Sequence, residues 1–326
     1  MDALLFTIIS ILGILPISLF LGVIYAFLIR KLNARFQWRV GPIIRMYSDL
    51  SPVIGSTRIW QPLYDILKLM GKDTIIPGNA HKRLFVYSPY MSLIFSVLAV
   101  FFIPFPGLPL LSDTPYSLII ASYLLIASII FTILGPVASG SPWGAIGARR
   151  EVELFLVSEL GFVVSLFAVA IAKNSLSIWV LASNMESLPA ILLTLVAGTT
   201  MFAAMLGKLH IKPFDMPEAE CEIVAGPYTE YSGKLLGTYF LAKVFILYSM
   251  VSLFIAIFLP PFSSDPIWLP LYAASAILLI FLLAVVQVLN PRFLIRKALL
   301  WYLKIVVPLA ILSLIVAFAF ALGMVA

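Results

Sequence analysis

Eight apolar runs, each about 18 residues or longer, divide this chain at roughly 4–28, 84–103, 117–135, 152–172, 189–207, 234–259, 270–289 and 301–325. A helix rises 1.5 Å per residue and the hydrocarbon core of a bilayer is about 30 Å thick, so each run is long enough to cross it. Composition says the same. An ordinary soluble domain is about 45–50% apolar and about 25% charged, whereas these 326 residues are 62% hydrophobic and 11% charged. A water-soluble fold cannot hide that much apolar surface. The expected fold class is all-α: one integral membrane domain over residues 1–326, with about eight transmembrane helices. The first run lacks a basic leader and is too long for a signal peptide, so it reads as a span that stays. Pro16 and Pro308 lie inside runs and are expected to kink them, because each removes an intrahelical donor.

The loops alternate in charge. Those after spans 1, 3, 5 and 7 hold 18 of the 21 Lys and Arg, with Lys234 counted at its junction, and the loops on the other side hold only Lys173. The positive-inside rule places both termini outside and the long loops in the cytoplasm, in a multi-pass protein of the cell membrane. The net charge of +6 therefore reports topology rather than nucleic-acid binding. Two cytoplasmic loops are longer than a connector needs. The first, 29–83, is basic, and its segment "IWQPLYDILKLMG" places Ile59, Leu63, Ile66, Leu67 and Met70 at helical spacing. That amphipathic helix suits a membrane surface or, equally, packing under a partner or its own loops. The second, 208–233, is acidic.

Some chemistries are excluded. A single cysteine, Cys221, allows neither an internal disulfide nor a cysteine-ligated iron–sulfur cluster. His81 and His210 show no metal-ligand spacing. Phosphate-cradling glycine motifs and a nucleophile with a plausible base are also missing, so the chain is not expected to be an enzyme alone.

The polar residues inside the spans need a reason. Glu159 lies about eight residues into the fourth run, about 12 Å deep at 1.5 Å per residue. A carboxylate there is costly unless it is paired, protonated or beside water. Lys243 sits at similar depth in the sixth run, so an ion pair or shared proton between the two is expected, either as a proton relay or as a buried pair fixing helix register. Arg149, Arg150, Glu151 and Glu153, near the mouth of the fourth run, read most simply as interfacial charges that snorkel to water. In the acidic loop, Asp215, Glu218, Glu220, Glu222 and Glu230 stand among Pro213, Pro217, Gly226 and Pro227, which suggests a shaped element. Clustered carboxylates raise one another's pKa, so some are expected to titrate near neutrality, feeding protons towards Glu159 or docking a basic partner.

"PFDMPEAECEIVAGPYTEYSG" resembles the acidic loop of the complex I membrane subunit that contacts the peripheral arm, NADH dehydrogenase subunit 1 or the bacterial H subunit. Pro213, Phe214, Asp215, Glu218, Glu220, Glu222, Ala225, Gly226, Glu230, Tyr231 and Ser232 carry the likeness. In the first loop, Arg35, Gln37, Arg39, Gly41 and Pro42 resemble one family element, and Gln61, Pro62, Asp65, Lys68 and Leu69 another. Arg150 and Glu159 match the family's arginine and buried glutamate. Departures choose a branch. "KLHIK" (208–212) stands where quinone-reducing members carry Glu-Thr-Asn-Arg-Pro, Lys243 replaces a glutamate, and the stretch between Pro42 and Gln61 is longer than usual.

The pattern is most similar to the corresponding subunit of group 4 membrane-bound nickel–iron hydrogenases, with a sulfane-sulfur reductase as a sister. The resemblance implies a membrane anchor and coupling subunit without cofactors of its own. It implies partners, too: hydrogenase-like large and small subunits carrying a nickel–iron centre and iron–sulfur clusters, antiporter-like membrane subunits, ferredoxin as electron donor, and lipid. Glu159, Lys243, Arg150, Glu153 and the five loop carboxylates are then expected to couple ion translocation. Arg35, Gln37, Arg39, Gln61, Asp65 and Lys68 are expected to dock the arm. Rival readings are the same role in a sulfane-sulfur reductase or a quinone-reducing complex I, a free-standing ion transporter, against which stands the lack of an internal repeat, and a structural anchor with no ion path.

Overall fold

A computed structural model describes residues 2–39, 41–42, 58–106, 111–182, 188–259 and 266–323, with the side chains of 2–12, 58, 188–190, 220–221 and 266 left out. The part of the basic loop at 40 and 43–57, and the side chain of Glu220, therefore lie outside the described residues. Among the described residues, eight helices are long and apolar enough to cross a membrane. In chain order the helices longer than four residues are α1 (Asp2–Phe36), α2 (Gln61–Met70), α3 (Lys82–Val100), α4 (Ser117–Val137), α5 (Pro142–Lys173), α6 (Leu188–Lys208), α7 (Gly233–Phe258), α8 (Leu269–Leu289), α9 (Ile295–Trp301) and α10 (Val307–Ala321). A turn of π-helix, Tyr302–Val306, joins α9 to α10, so the two form one span, Ile295–Ala321. The π turn abuts Pro308: a proline ring clashes with the carbonyl four residues back, and widening the preceding turn relieves this without breaking the helix.

Two helices outrun their apolar segments. α1 continues to Phe36, which puts Arg30, Lys31 and Arg35 on helix rather than in the basic loop. α5 starts at Pro142, ten residues before its apolar run, with proline in its first turn, where the missing N–H costs nothing. Hydropathy marks where lipid ends; it does not mark where the helix ends. Both extensions project the charged residues of the site.

α7 is the axis of the domain. Of its most apolar window 83% is buried inside the protein, against 22% for the last span, and it touches α1, α2, α3, α4, α6 and α8. α5 and α6 pack together, and the last span covers both. At one end of this bundle the acidic segment 209–232 folds back over the helix ends as a chain of single turns, at Met216–Glu218, Glu220–Ile223 and Gly226–Tyr228. Aromatic rings seat it. Phe214 is wholly buried against Phe293, Trp301 and Tyr302, at centroid distances of 5.8, 5.1 and 4.8 Å, and Tyr231 stacks on Phe85 at 4.1 Å. Rings this close each add about 0.5–1.5 kcal/mol beyond their area.

Candidate functional site

Each described carboxylate of the acidic segment that forms an ion pair takes its cation from a different place in the membrane domain. Asp215 receives two hydrogen bonds from Arg292, Nε to Oδ1 at 2.8 Å and Nη2 to Oδ2 at 2.7 Å, the forked geometry that only arginine supplies. Glu222 accepts from Arg150 of α5 at 2.6 Å, and the same guanidinium nitrogen donates to the carbonyl of Met216 at 3.3 Å. Glu218 accepts from Lys243 of α7 at 2.5 Å. The segment is stapled at three points to α5, α7 and the stretch before α9. Glu230 takes part in none of the ion pairs among the described residues.

His210 is the hub. Its Nε2 lies 2.8 Å from Glu151 of α5 and its Nδ1 lies 2.9 Å from Glu218. A neutral imidazole has one N–H, so only the doubly protonated ring can donate to both carboxylates at once. Burial alone would depress its pKa, but the charges of Glu151 and Glu218 and their hydrogen bonds overcome this and push it up to about 10. Burial would likewise raise Glu218, yet the neighbouring Lys243 and His210 charges hold its carboxyl well below the ordinary carboxylate range. The expectation that crowded acids titrate near neutrality thus fails for Glu218, whose neighbours are cations. The row Glu151–His210–Glu218–Lys243 alternates in sign throughout.

Two residues before His210, Lys208 ends α6 with its side chain wholly buried, and its ammonium is paired with Glu159. It also lies 4.1 Å from the centre of the Phe162 ring, near enough for a cation–π attraction. The other oxygen of Glu159, Oε1, is buried with no hydrogen-bond partner among the described residues. The pairing expected between Glu159 and Lys243 is therefore corrected: Lys208 takes Glu159 and Lys243 takes Glu218. Position along a helix does not fix which way a side chain faces around it. Arg150 also points away from Glu159, to Glu222. Glu151 is 3% exposed and faces His210, so it is not an interfacial charge reaching for water; Glu153 does keep to the rim, paired with the exposed Arg149 at 3.0 Å.

The row borders a cavity of about 410 Å³ that is also lined by the Arg30–Asp65 pair, 3.0 Å apart and roughly half exposed. Lys208, His210, Glu151, Glu218 and Lys243 form its polar wall, and Ala26, Ile66, Val244 and Leu247 are among its apolar walls. Of the residues expected to dock a partner, Arg35, Gln37, Arg39 and Lys68 are exposed, Asp65 is engaged by Arg30, and the Gln61 side-chain oxygen is buried without a partner among the described residues. Lys208, His210 and Glu151 were missed as site residues. "KLHIK" registers in the sequence only as a departure from a pattern; the usable signal was a lysine and a histidine two residues apart where an apolar run meets an acidic one.

Stability should follow pH accordingly. His210 titrates at about 6.5 when exposed and about 10 in the fold, so its contribution is full below about pH 6.5 and is lost as pH rises through about 10. Glu218, lowered from 4.5, contributes above that pH and loses its contribution below it as its folded-state pKa is approached. Thermal unfolding in detergent should show a plateau between these limits. His210→Gln should flatten the alkaline limb and leave the acid limb in place. An alkaline limb unchanged in His210→Gln would refute the bridging imidazolium.

Residues 9–318 match the family model described as NADH dehydrogenase. The H subunit of NADH-quinone oxidoreductase from Thermomicrobium roseum is 32% identical over 308 residues, covering 87% of this chain and 86% of that protein. NADH-ubiquinone oxidoreductase chain 1 of Mycosarcoma maydis is 32% identical over 270 residues, covering 82% and 78%. Among solved structures, a chain of the membrane-bound sulfane sulfur reductase, an archaeal respiratory membrane complex, superposes with a TM-score of 0.80 at 24% identity, over 95% of this chain and 99% of that one. Fold and sequence together define a multi-pass membrane subunit of a complex I-related oxidoreductase. The chain belongs to the NADH dehydrogenase subunit 1 family, which includes the bacterial H subunits.

Proposed function

We propose that this chain is the membrane anchor and coupling subunit of a ferredoxin-linked, hydrogenase-like complex, and that its acidic segment converts redox events in a cytoplasmic arm into ion translocation. One observation carries the reading: Lys208 holds Glu159 among the helices while His210, two residues on, holds Glu218 of the acidic segment. A shift of the segment that pulls His210 must strain the Lys208–Glu159 pair, and the unpartnered Glu159 Oε1 is placed to take a proton when that pair loosens. Interfaces packed this tightly switch between discrete arrangements rather than deform smoothly.

In this reading the basic loop and the acidic segment face the cytoplasm. Arg35, in the last turn of α1, and Arg39, just beyond it, are exposed and pair with acidic groups of the arm, which suits arginine's forked donors. The arm's large and small subunits carry the nickel–iron centre and iron–sulfur clusters, and antiporter-like neighbours carry the ions. Lys208, His210 and Lys243 line the wall that would meet a quinone head, and all three are already paired with carboxylates, which favours a quinone-independent branch. A second reading keeps the same role in a sulfane-sulfur reductase; the likeness of fold to a chain of such a complex favours it.

Gentle solubilisation and capture on this chain should bring down the arm, and the captured complex should evolve hydrogen from reduced ferredoxin. Sulfide from polysulfide without hydrogen selects the second reading. Recovery of the chain alone would return it to the transporter class. Glu159→Gln should leave arm assembly and electron transfer in place and cut ion translocation at least about ten-fold, since a proton carrier is removed from the relay. Normal translocation in that variant would sink the relay.

A further inference from the structure

The last span, Ile295–Ala321, is the least buried of the eight, and it carries a charge on the face it leaves uncovered. Lys304 is the middle residue of the π turn Tyr302–Val306. The two ends of that turn face inwards. Tyr302 donates its hydroxyl to the carbonyl of Ala203 at 2.9 Å, and Val306 fills the space that Gly161 of α5 leaves, where a Cβ would meet it at 2.7 Å. Lys304, midway between them, is exposed, beside Leu300, Leu303 and Ile305 at 42%, 50% and 42% exposure.

The same contacts fix its level in the domain. A Cβ on Gly207 would meet both the Tyr302 hydroxyl and the Cβ of Ser158, and Val306 lies against Gly161. The last span and α5 therefore run side by side with Lys304 level with Glu159. Ionisable side chains at such depth almost always pair or face a polar cavity. Glu159 is paired with Lys208, and Lys243 with Glu218. Lys304 takes part in none of the ion pairs among the described residues and does not line the cavity.

We propose that Lys304 anchors an interface with a neighbouring membrane subunit, by pairing with an aspartate or glutamate that a transmembrane helix of that subunit presents at this level. Two features favour a protein carboxylate over a lipid phosphate. A helical side chain lies back over the turn before its own Cα, so the ammonium reaches the level of Leu300, about 5 Å closer to the acidic-segment end of the domain. Arg296 and Lys297, both exposed, stand another turn beyond, and headgroup phosphates are met by those two at the rim. The ammonium is left beside Leu300 and Leu303, where only a group carried on protein comes with a charge. The surface around it is also apolar along the helix, with Ile311 and Ile315 at 52% and 60% exposure. A single ionic or polar contact in an otherwise apolar helix interface is the device that fixes register and partner choice. The inference rests on the reading of this chain as one subunit of a complex.

The test captures the complex on the full-length chain from detergent-solubilised membranes, washes it at rising detergent, and quantifies its subunits and bound phospholipid. Lys304→Met keeps the length of the side chain and removes its charge; Lys304→Arg keeps the charge. A photo-crosslinking residue in place of Leu303 marks what lies against the face. One membrane subunit should be lost at least about ten-fold from Lys304→Met and retained in Lys304→Arg, while both variant chains melt as wild type. The crosslink should fall on that same subunit, within a turn of an aspartate or glutamate. Wild-type recovery of every membrane subunit in Lys304→Met overturns the interface and leaves the coupling reading in place. Loss of bound phospholipid alone assigns the lysine to a headgroup and overturns it too. So does a lowered melting temperature of the Lys304→Met chain with loss of all subunits alike, which assigns the lysine to the fold. A wild-type chain recovered alone overturns both readings.

Discussion

Lys208→Met is expected to destabilise the membrane domain by about 3–5 kcal/mol, whereas Lys208→Met combined with Glu159→Leu is expected to recover most of that loss. The side chain of Lys208 is wholly buried and that of Glu159 is 15% exposed. Removing the lysine leaves a carboxylate among the rings of Phe155 and Phe162, whose negative faces attracted the ammonium and now repel the anion. The carboxyl must then take up a proton to stay buried, or the α5–α6 contact must open to water. Replacing both partners by apolar side chains of similar size removes the orphaned charge, and such replacements of buried pairs are often neutral. Stability and coupling should therefore separate: the double variant should melt near wild type in detergent yet translocate ions no better than Glu159→Gln. If the single variant melts with wild type, the pair carries no net energy and the link from Lys208 to His210 loses its mechanical meaning.

Legibility in the sequence divided along a physical line. The spans were readable because lipid is an averaging solvent: about 18 apolar residues in succession announce a span whatever their order, and all eight were found. The helix extensions to Phe36 and back to Pro142 were not, because helices continue past the hydrocarbon once backbone hydrogen bonds and good helix formers sustain them. The acidic segment was legible as an element, through its prolines and glycines, and its partners were not. Arg292 is 77 residues from Asp215, and Arg150 is 72 from Glu222. Such pairings depend on which helix ends meet, and no periodicity encodes that. Lys243 was noticed for its depth, but depth is one coordinate of three. Lys208 and His210 were passed over because each alone is ordinary; their meaning comes from Glu159 and Glu151, two turns apart on α5, both within reach of one three-residue stretch.

Gly226→Ala is expected to unseat the acidic segment while leaving the bundle folded. Gly226 is buried with a φ of +52°, in the left-handed region where a side chain costs about 1–2 kcal/mol. Strain is the smaller part. A Cβ there would collide with the carbonyl oxygen of Pro217 and lie 3.1 Å from Ile223 Cδ1. The oxygen belongs to the backbone of the turn Met216–Glu218, so it cannot swing aside without moving Glu218, and with it the bonds to His210 and Lys243. Moving the other way carries Pro227 from α5, where Gly147 admits its ring because a Cβ at Gly147 would approach Pro227 Cδ to 2.7 Å. Neither side has slack, so the seated conformation should lose about 3 kcal/mol or more. The helices of α7 and the α5–α6 pair keep their contacts, so thermal unfolding of the bundle should shift little. Limited proteolysis should cut between 214 and 230 in the variant and spare the wild type, and capture on the variant chain should recover less of the arm. Gly78→Ala, whose Cβ would meet nothing within 4 Å, is the matched control and should behave as wild type in both assays. Protease resistance and arm recovery retained in Gly226→Ala would mean that the segment tolerates displacement, and a segment free to drift cannot transmit a pull from Glu218 through His210 to Lys208 and Glu159.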